Sequence, residues 1–286
     1  MLIAIDTHVH LYPAYRLDQA ISCAWRNLDA IVAQGAASGA VHGEAPVKVL
    51  CLTERRECSF FRGFCTGSVE IPGGGCAVHV HGEDAVIISR EGGEDLLLVL
   101  PGRQIVTRER LEVLALTVDV DIPDGLPLVE VVSSVQRAGA IPVLNWAPGK
   151  WLFGRGRVIA RAISAASPED LLIGDTTLRP EGWGEPRLMK RARLRGLRTI
   201  AGSDPLPCSG EESNIGRYGV LVEADFNWRE PAGSIRRALR SSPLTIAGRR
   251  GSFSEVWRRL RANQVVRRQG RAVAAEATGV AQVAAE

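Results

Sequence analysis

No two cysteines of this 286-residue chain stand in a C-x-x-C arrangement; the six, Cys23, Cys51, Cys58, Cys65, Cys76 and Cys208, are scattered singly. That pattern fits neither a structural zinc site nor a disulfide framework, so packed, reduced thiols are expected. No apolar run approaches the ~20 residues that span a bilayer, and the apolar opening Met1–Ile5 meets Asp6 too early for a secretory signal. A soluble, cytoplasmic protein is the expectation. Lysine is nearly missing, at 3 residues against 32 arginines. Genome composition accounts for that first, and bidentate anion recognition second. No internal repeat is found, which excludes solenoids and repeat arrays.

What is there, 45% hydrophobic and 23% charged residues, is the composition of a globular protein. The net charge of +3 is unevenly placed. Residues 232–286 hold eleven arginines and three glutamates, whereas the residues before them hold 24 basic and 29 acidic side chains. The expected organisation is therefore a body over 1–231, a basic helical extension over 232–271 and a flexible Ala-rich tail over 272–286. Phe253, Val256, Trp257 and Leu260 recur at helical spacing and suit docking of the extension on the acidic body. Nucleic acid and a membrane surface are the lesser alternatives for this basic segment, because stacking side chains are sparse in it.

Short runs of Val, Ile and Leu alternate with helical patterns, as in parallel strands joined by crossover helices. Seven buried strands are expected at 2–5, 47–52, 104–106, 111–116, 141–144, 171–174 and 198–201. Leu17, Ala20, Ile21, Ala24, Trp25, Leu28, Ile31 and Val32 mark the clearest amphipathic helix, with others near 128–138, 155–166 and 186–195. Over about 76–101 the period falls to two around Gly82-Glu83-Asp84 and Glu91-Gly92-Gly93-Glu94-Asp95, which predicts a β-hairpin insert. Pro205–Gly219 reads as a long loop, with a lid as its expected role.

In α/β barrels the reactive groups sit at the C-terminal ends of strands and in the loops that follow. Here the first strand runs into Asp6, His8 and His10, the second into Glu54 and Arg55, and later ends carry Gln104, Asn145, Asp175 and Asp204. Histidines two apart on an extended strand project from one face and can grip one cation. The plain alternative is a pair of hydrogen-bonded histidines at a strand end. Lys150, Arg155, Arg179 and Arg217 suit a phosphate or carboxylate, against the alternative of ordinary ion pairs. Asp175 reads equally as a general base and as a loop cap. His79 and His81, a second His-x-His pair, read as structural or exposed.

Ile5-Asp6-Thr7-His8-Val9-His10 resembles the opening Asp-x-His-x-His of the polymerase and histidinol phosphatase (PHP) family. The order of later segments is similar over about residues 2–220, with Gly102-Arg103-Gln104-Ile105 and Gly202-Ser203-Asp204 in matching places. The resemblance implies an α/β fold, a distorted barrel of seven strand–helix units, and metal-dependent hydrolysis of phosphoesters. His8, His10 and Asp204 match family ligands. Arg55, Gln104, Asn145 and Leu206 stand where further ligands are expected, so a multinuclear cluster is argued against.

The surviving set, two imidazoles and a carboxylate, is enough for one divalent Zn, Mn or Fe ion with open positions. The resulting expectation is a mononuclear metal-dependent hydrolase of a small anionic substrate. His8, His10 and Asp204 hold the metal, and Asp175 or Glu54 accepts a proton. Gln104, Asn145, Lys150, Arg155, Arg179 and Arg217 contact the substrate. The alternative is a catalytically inactive PHP-like binding or scaffold protein. Oligomeric state is not readable from the chain.

Overall fold

A computed structural model of the chain describes residues 1–37, 45–90, 93 and 95–283, with side chains as far as residue 269. The first strand, β1 (Leu2–Val9), is buried over all eight residues, as a central strand covered on both faces must be. Ile3 and Ile5 enter one hydrophobic core while Ala4 and Val9 enter another. Helix α1 (Leu17–Ala37) supplies Ala20, Ile21, Ala24, Trp25, Leu28 and Ile31 to the second of these. Strand β2 (Val47–Leu52) then lies parallel to β1, and the short helix α2 (Phe60–Thr66) adds Phe61 and Phe64 to α1's side.

The expected hairpin is β3 (Cys76–His81) with β4 (Ala85–Arg90), turning at Gly82. Residues 91, 92 and 94 of the second expected turn lie outside the described residues. Strand β5 (Leu96–Leu100) pairs antiparallel with β4 and parallel with β2, so it belongs to the main sheet as well as to the insert. Then follow β6 (Gly102–Val106), β7 (Glu112–Leu116), α3 (Leu128–Arg137), β8 (Ile141–Asn145), α4 (Phe153–Ala165), β9 (Leu172–Thr176), α5 (Arg187–Leu194) and β10 (Thr199–Gly202). The chain closes with β11 (Tyr218–Glu223), α6 (Pro231–Ser241), β12 (Leu244–Gly248) and α7 (Phe253–Val283).

These strands form a mixed α/β fold with two sheets, and hydrogen-bonded pairing does not close the expected distorted seven-stranded barrel. One sheet has seven strands in the order β12-β11-β1-β2-β5-β4-β3, the other five in the order β10-β9-β8-β7-β6. Pairing is parallel for β1–β2–β5 and β8–β9–β10 and antiparallel elsewhere. The physical reason is connection length: only residues 107–111 join β6 to β7, too few for the crossover that a parallel pair needs. The core between the sheets gathers Ile3, Val49, Leu98, Leu114, Val143, Leu172 and Ile200, and α3, α4 and α5 cover the outer face of the five-stranded sheet.

The two sheets meet along two seams, and each depends on a glycine. At the first, β10 lies so close to β1 that a Cβ on Gly202 would stand 2.4 Å from the His8 backbone nitrogen. At the second, a Cβ on Gly102 would stand 2.3 Å from the Leu52 carbonyl oxygen, and Glu54 and Arg103 bridge the ends of β2 and β6. The segment from 232 that charge set apart contributes Ala232, Ile235, Ala238 and Leu239 of α6 to the central core, and β12 to the main sheet. Helix α7 runs through Val283, across the Ala-rich stretch expected to be a tail; residues 284–286 lie outside the described residues. Its expected apolar stripe is only half used. Val256 and Leu260 pack inward, whereas Phe253 and Trp257 stay exposed. Among the described residues no helix is long and apolar enough to cross a membrane.

Candidate metal centre

The register of β1 against β2 shifts between Asp6 and Val9. A one-residue slip exchanges the faces of a strand. Before the slip the even-numbered Ala4 packs toward α1; after it, the odd-numbered Val9 does. His8 and His10 are thereby turned away from the α1 core.

Opposite them, β10 delivers Asp204, and the join is made of buried hydrogen bonds. The Thr7 hydroxyl donates to the Ala201 carbonyl at 2.8 Å, and the Asp204 backbone N–H donates to the His8 carbonyl at 2.9 Å. Asp6 Oδ1 accepts from the backbone N–H groups of Ser203 at 2.8 Å and His8 at 3.1 Å, and its Oδ2 accepts from Gly216 at 2.8 Å. Asp6 is thus a brace between β1, β10 and the start of β11. Asp204 itself has φ +47°, a left-handed backbone that costs an L-residue about 1 kcal/mol. The surrounding bonds hold it there.

His8 Nε2 lies 3.0 Å from His10 Nε2, and Asp204 Oδ1 lies 3.5 Å from the first and 3.8 Å from the second. Gln104 Oε1 approaches His8 Nε2 to 3.1 Å. All three potential ligands are buried, and their ligand atoms lie within 4.8 Å of one another. Among the described residues this is the one group of His, Cys, Asp or Glu side chains close enough to share an ion. Burial, together with the neighbouring His8 imidazole and Arg55 guanidinium, holds the His10 imidazole well below its ordinary value, which favours the neutral ring. Burial also pushes the Asp204 carboxyl upward, against the opposing pull of His8, and the Glu112 charge adds to the rise. In the tautomer that leaves both Nε2 lone pairs unprotonated, His8, His10 and Asp204 offer three ligand atoms close enough to share a cation, and the residues present fit one divalent ion. His8 Nδ1 is buried without a hydrogen-bond partner among the described residues.

Of the two expected proton acceptors, neither has its carboxylate directed into this centre. Asp175 accepts from Arg179 Nε at 2.8 Å, Arg179 Nη2 at 2.5 Å, the Tyr218 hydroxyl at 2.8 Å and the Thr176 N–H at 3.0 Å, which uses about all the lone-pair directions a carboxylate has. Glu54 Oε1 accepts from the backbone N–H groups of Phe60 and Phe61, capping α2 where Ser59 makes no side-chain cap. Arg179 is held by that Asp175 pair, and Arg217 by Glu255 on α7. Arg155 donates to the Gly149 carbonyl at 3.0 Å.

Lys150 and Asn145 converge on a residue that the sequence reading passed over. Glu112, opposite Asn145 in the β7–β8 register, accepts from Lys150 Nζ at 2.5 Å and from Asn145 Nδ2 at 3.3 Å. Burial raises its carboxyl, and Lys150 and Asn145 outweigh that, leaving Glu112 below the usual glutamate range. The signal for it was a lone charge opening an otherwise apolar strand. Arg259 of α7 is the second omission. It is buried, forks onto Glu211 at 2.8 Å, and donates to Thr177 Oγ1 at 2.8 Å and to the Asp204 carbonyl at 3.3 Å. With Tyr15 donating to the Leu206 carbonyl at 2.5 Å, Arg259 ties down the loop expected to be a lid. The second His-x-His pair is engaged with protein, His81 with the Trp228 carbonyl and His79 with Ser89.

Compared with solved structures, the chain resembles PsfC from Pseudomonas syringae PB-5123, at 16% identity over 94% of this chain and 98% of that one, with a TM-score of 0.52. That likeness is one of fold. A weaker one is to the lesion-specific endonuclease Q of Pyrococcus furiosus, at 9% identity and TM-score 0.44, over 86% of this chain and 58% of the other. Endonuclease Q in complex with a 27-mer duplex bearing an abasic lesion gives 10% identity and TM-score 0.43 over the same shares. No protein-family model matches the chain, and no curated protein matches its sequence.

Proposed function

We propose that this protein is a divergent PHP-like hydrolase that uses one divalent ion to cleave a small anionic, phosphoester-like substrate. The convergence of His8, His10 and Asp204 within 4.8 Å at the β1–β10 seam is the observation that carries this reading. The Asp-x-His-x-His opening and the Gly-Ser-Asp segment support it from the sequence side. When bound, a divalent ion supplies Lewis acidity and lowers the pKa of water from ~16 towards ~7. The chain's own residues do the rest. His10, kept neutral, presents a lone pair at any pH near 7. Gln104 stands beside His8 where the resemblance implies a carboxylate, which keeps the centre less negative. Lys150, anchored on Glu112 and partly open to solvent, supplies the cation that meets the substrate anion, and Arg55 adds positive charge on the His10 side.

A second reading, a metal-binding protein without turnover, is favoured by one observation: Asp175 and Glu54, the expected proton acceptors, are both engaged in structural hydrogen bonds. One experiment separates the two. Chelator-treated protein is assayed on p-nitrophenyl phosphate and bis(p-nitrophenyl) phosphate with Zn, Mn or Fe(II) returned. The hydrolase reading expects metal-dependent turnover that disappears in Asp204→Ala. Stoichiometric metal with no turnover on either ester selects the binding protein.

A further inference from the structure

A cleft of about 750 Å³ lies between α1, the loop around Gly210 and α7, and none of His8, His10 or Asp204 lines it. Five arginines do. Two of these are neutralised, Arg217 by Glu255 and Arg259 by Glu211. The other three, Arg26 on α1, Arg249 after β12 and Arg258 on α7, are exposed and meet no carboxylate among the described residues; the one hydrogen bond Arg26 makes is to Cys23 Sγ at 3.2 Å. Three guanidinium groups from three separate elements, with no carboxylate partner among the described residues, give this cleft a positive lining that favours an anion. Planar guanidinium forks suit phosphate oxygens in particular.

The volume falls within the roughly 300–1,000 Å³ of small-molecule sites, and concavity sets it apart from a flat nucleic-acid track. Ala30, Ile31 and Ala262 supply its apolar wall, and no aromatic side chain lines it, so there is no platform on which a base can stack. We propose that this cleft is a second binding site, separate from the metal centre, for a compact oligophosphate held by Arg26, Arg249 and Arg258. It stands independently of the hydrolase reading.

Isothermal titration of the full chain with sodium tripolyphosphate, at matched ionic strength against sulfate, tests it. The expected result is one saturable site that sulfate does not fill. It is weakened at least fivefold in the Arg26→Gln/Arg249→Gln/Arg258→Gln variant and kept within twofold in the His8→Ala/His10→Ala variant. All three arginines are exposed, so the triple variant retains its fold, which circular dichroism checks. Absence of saturable binding, a loss below fivefold in the triple variant, or loss of binding in a histidine variant whose circular dichroism matches the wild type would each overturn the proposal.

Discussion

One side chain separates the metal centre from the arginine-lined cleft. Arg259 lines the cleft and donates to the Asp204 carbonyl, yet the two regions are built in opposite ways. At the candidate centre His8, His10 and Asp204 are buried, and the backbones of His8 and Asp204 are bonded to each other across the seam, so position is set by the fold before anything binds. In the cleft the unpaired arginines are exposed and held by little, so position is set by what binds. Perturbing the first region is therefore expected to cost stability. Perturbing the second is expected to cost affinity alone.

The largest effect is expected at Arg259. Arg259→Met leaves the buried Glu211 carboxylate without its partner and should destabilise the protein by about 3–5 kcal/mol in urea unfolding. Adding Glu211→Gln should recover part of that loss, because the unpaired charge is then gone. If Arg259→Met melts like the wild type, the strap from α7 to Asp204 is not structural. Gly202→Ala comes next. Its Cβ would meet His8 backbone atoms, so a loss of about 2 kcal/mol is expected, together with weaker metal loading. Gln104→Glu, which returns a negative charge beside His8, should tighten metal binding about tenfold, or roughly 1.4 kcal/mol, in a competition titration. Arg26→Ala or Arg249→Ala should leave unfolding free energy within about 0.5 kcal/mol, as exposed positions do.

The smallest effect is a pH dependence where α7 meets the body. A hydrogen bond from Arg217 holds the Glu255 carboxyl below its ordinary 4.5, against partial burial. A carboxyl lowered by folding stabilises the folded state above its unfolded value, and that contribution is lost as pH falls through the folded value. Melting temperature should therefore drop below about pH 4.5, and less steeply in Glu255→Gln. Equal slopes in both proteins would remove this ion pair from the docking of α7.

The grouping of His8, His10 and Asp204 was legible in the sequence for the same reason that it is rigid: it depends on local strand geometry. A His-x-His at the end of a buried strand and a Gly-Ser-Asp at the end of another need only strand geometry to be read, and the glycine doubles as the contact point with His8. Most strands and helices were readable too, because each carries its own period. What stayed hidden depends on partners far along the chain. Asp175 reads equally as a general base and a loop cap until Tyr218 and Arg179 close on it, and Glu54 reads as an open acid until α2 turns back onto it. Arg259 sits at helical spacing between Val256 and Asn263, and an arginine on an inward stripe is a sign of a buried pair. Its partner, Glu211, lies 48 positions away. Sheet pairing was misread likewise, since an apolar run does not reveal whether its neighbour is parallel; only the short 107–111 connection held that information.

Metal content of the untagged protein, measured by elemental analysis after dialysis, is the most direct test of the His8–His10–Asp204 centre. The arrangement predicts close to one equivalent of transition metal in the wild type and near none in His8→Ala/His10→Ala or in Asp204→Ala. Content that is equal in all three proteins, or absent from the wild type even after saturation with Zn and Mn, would contradict it.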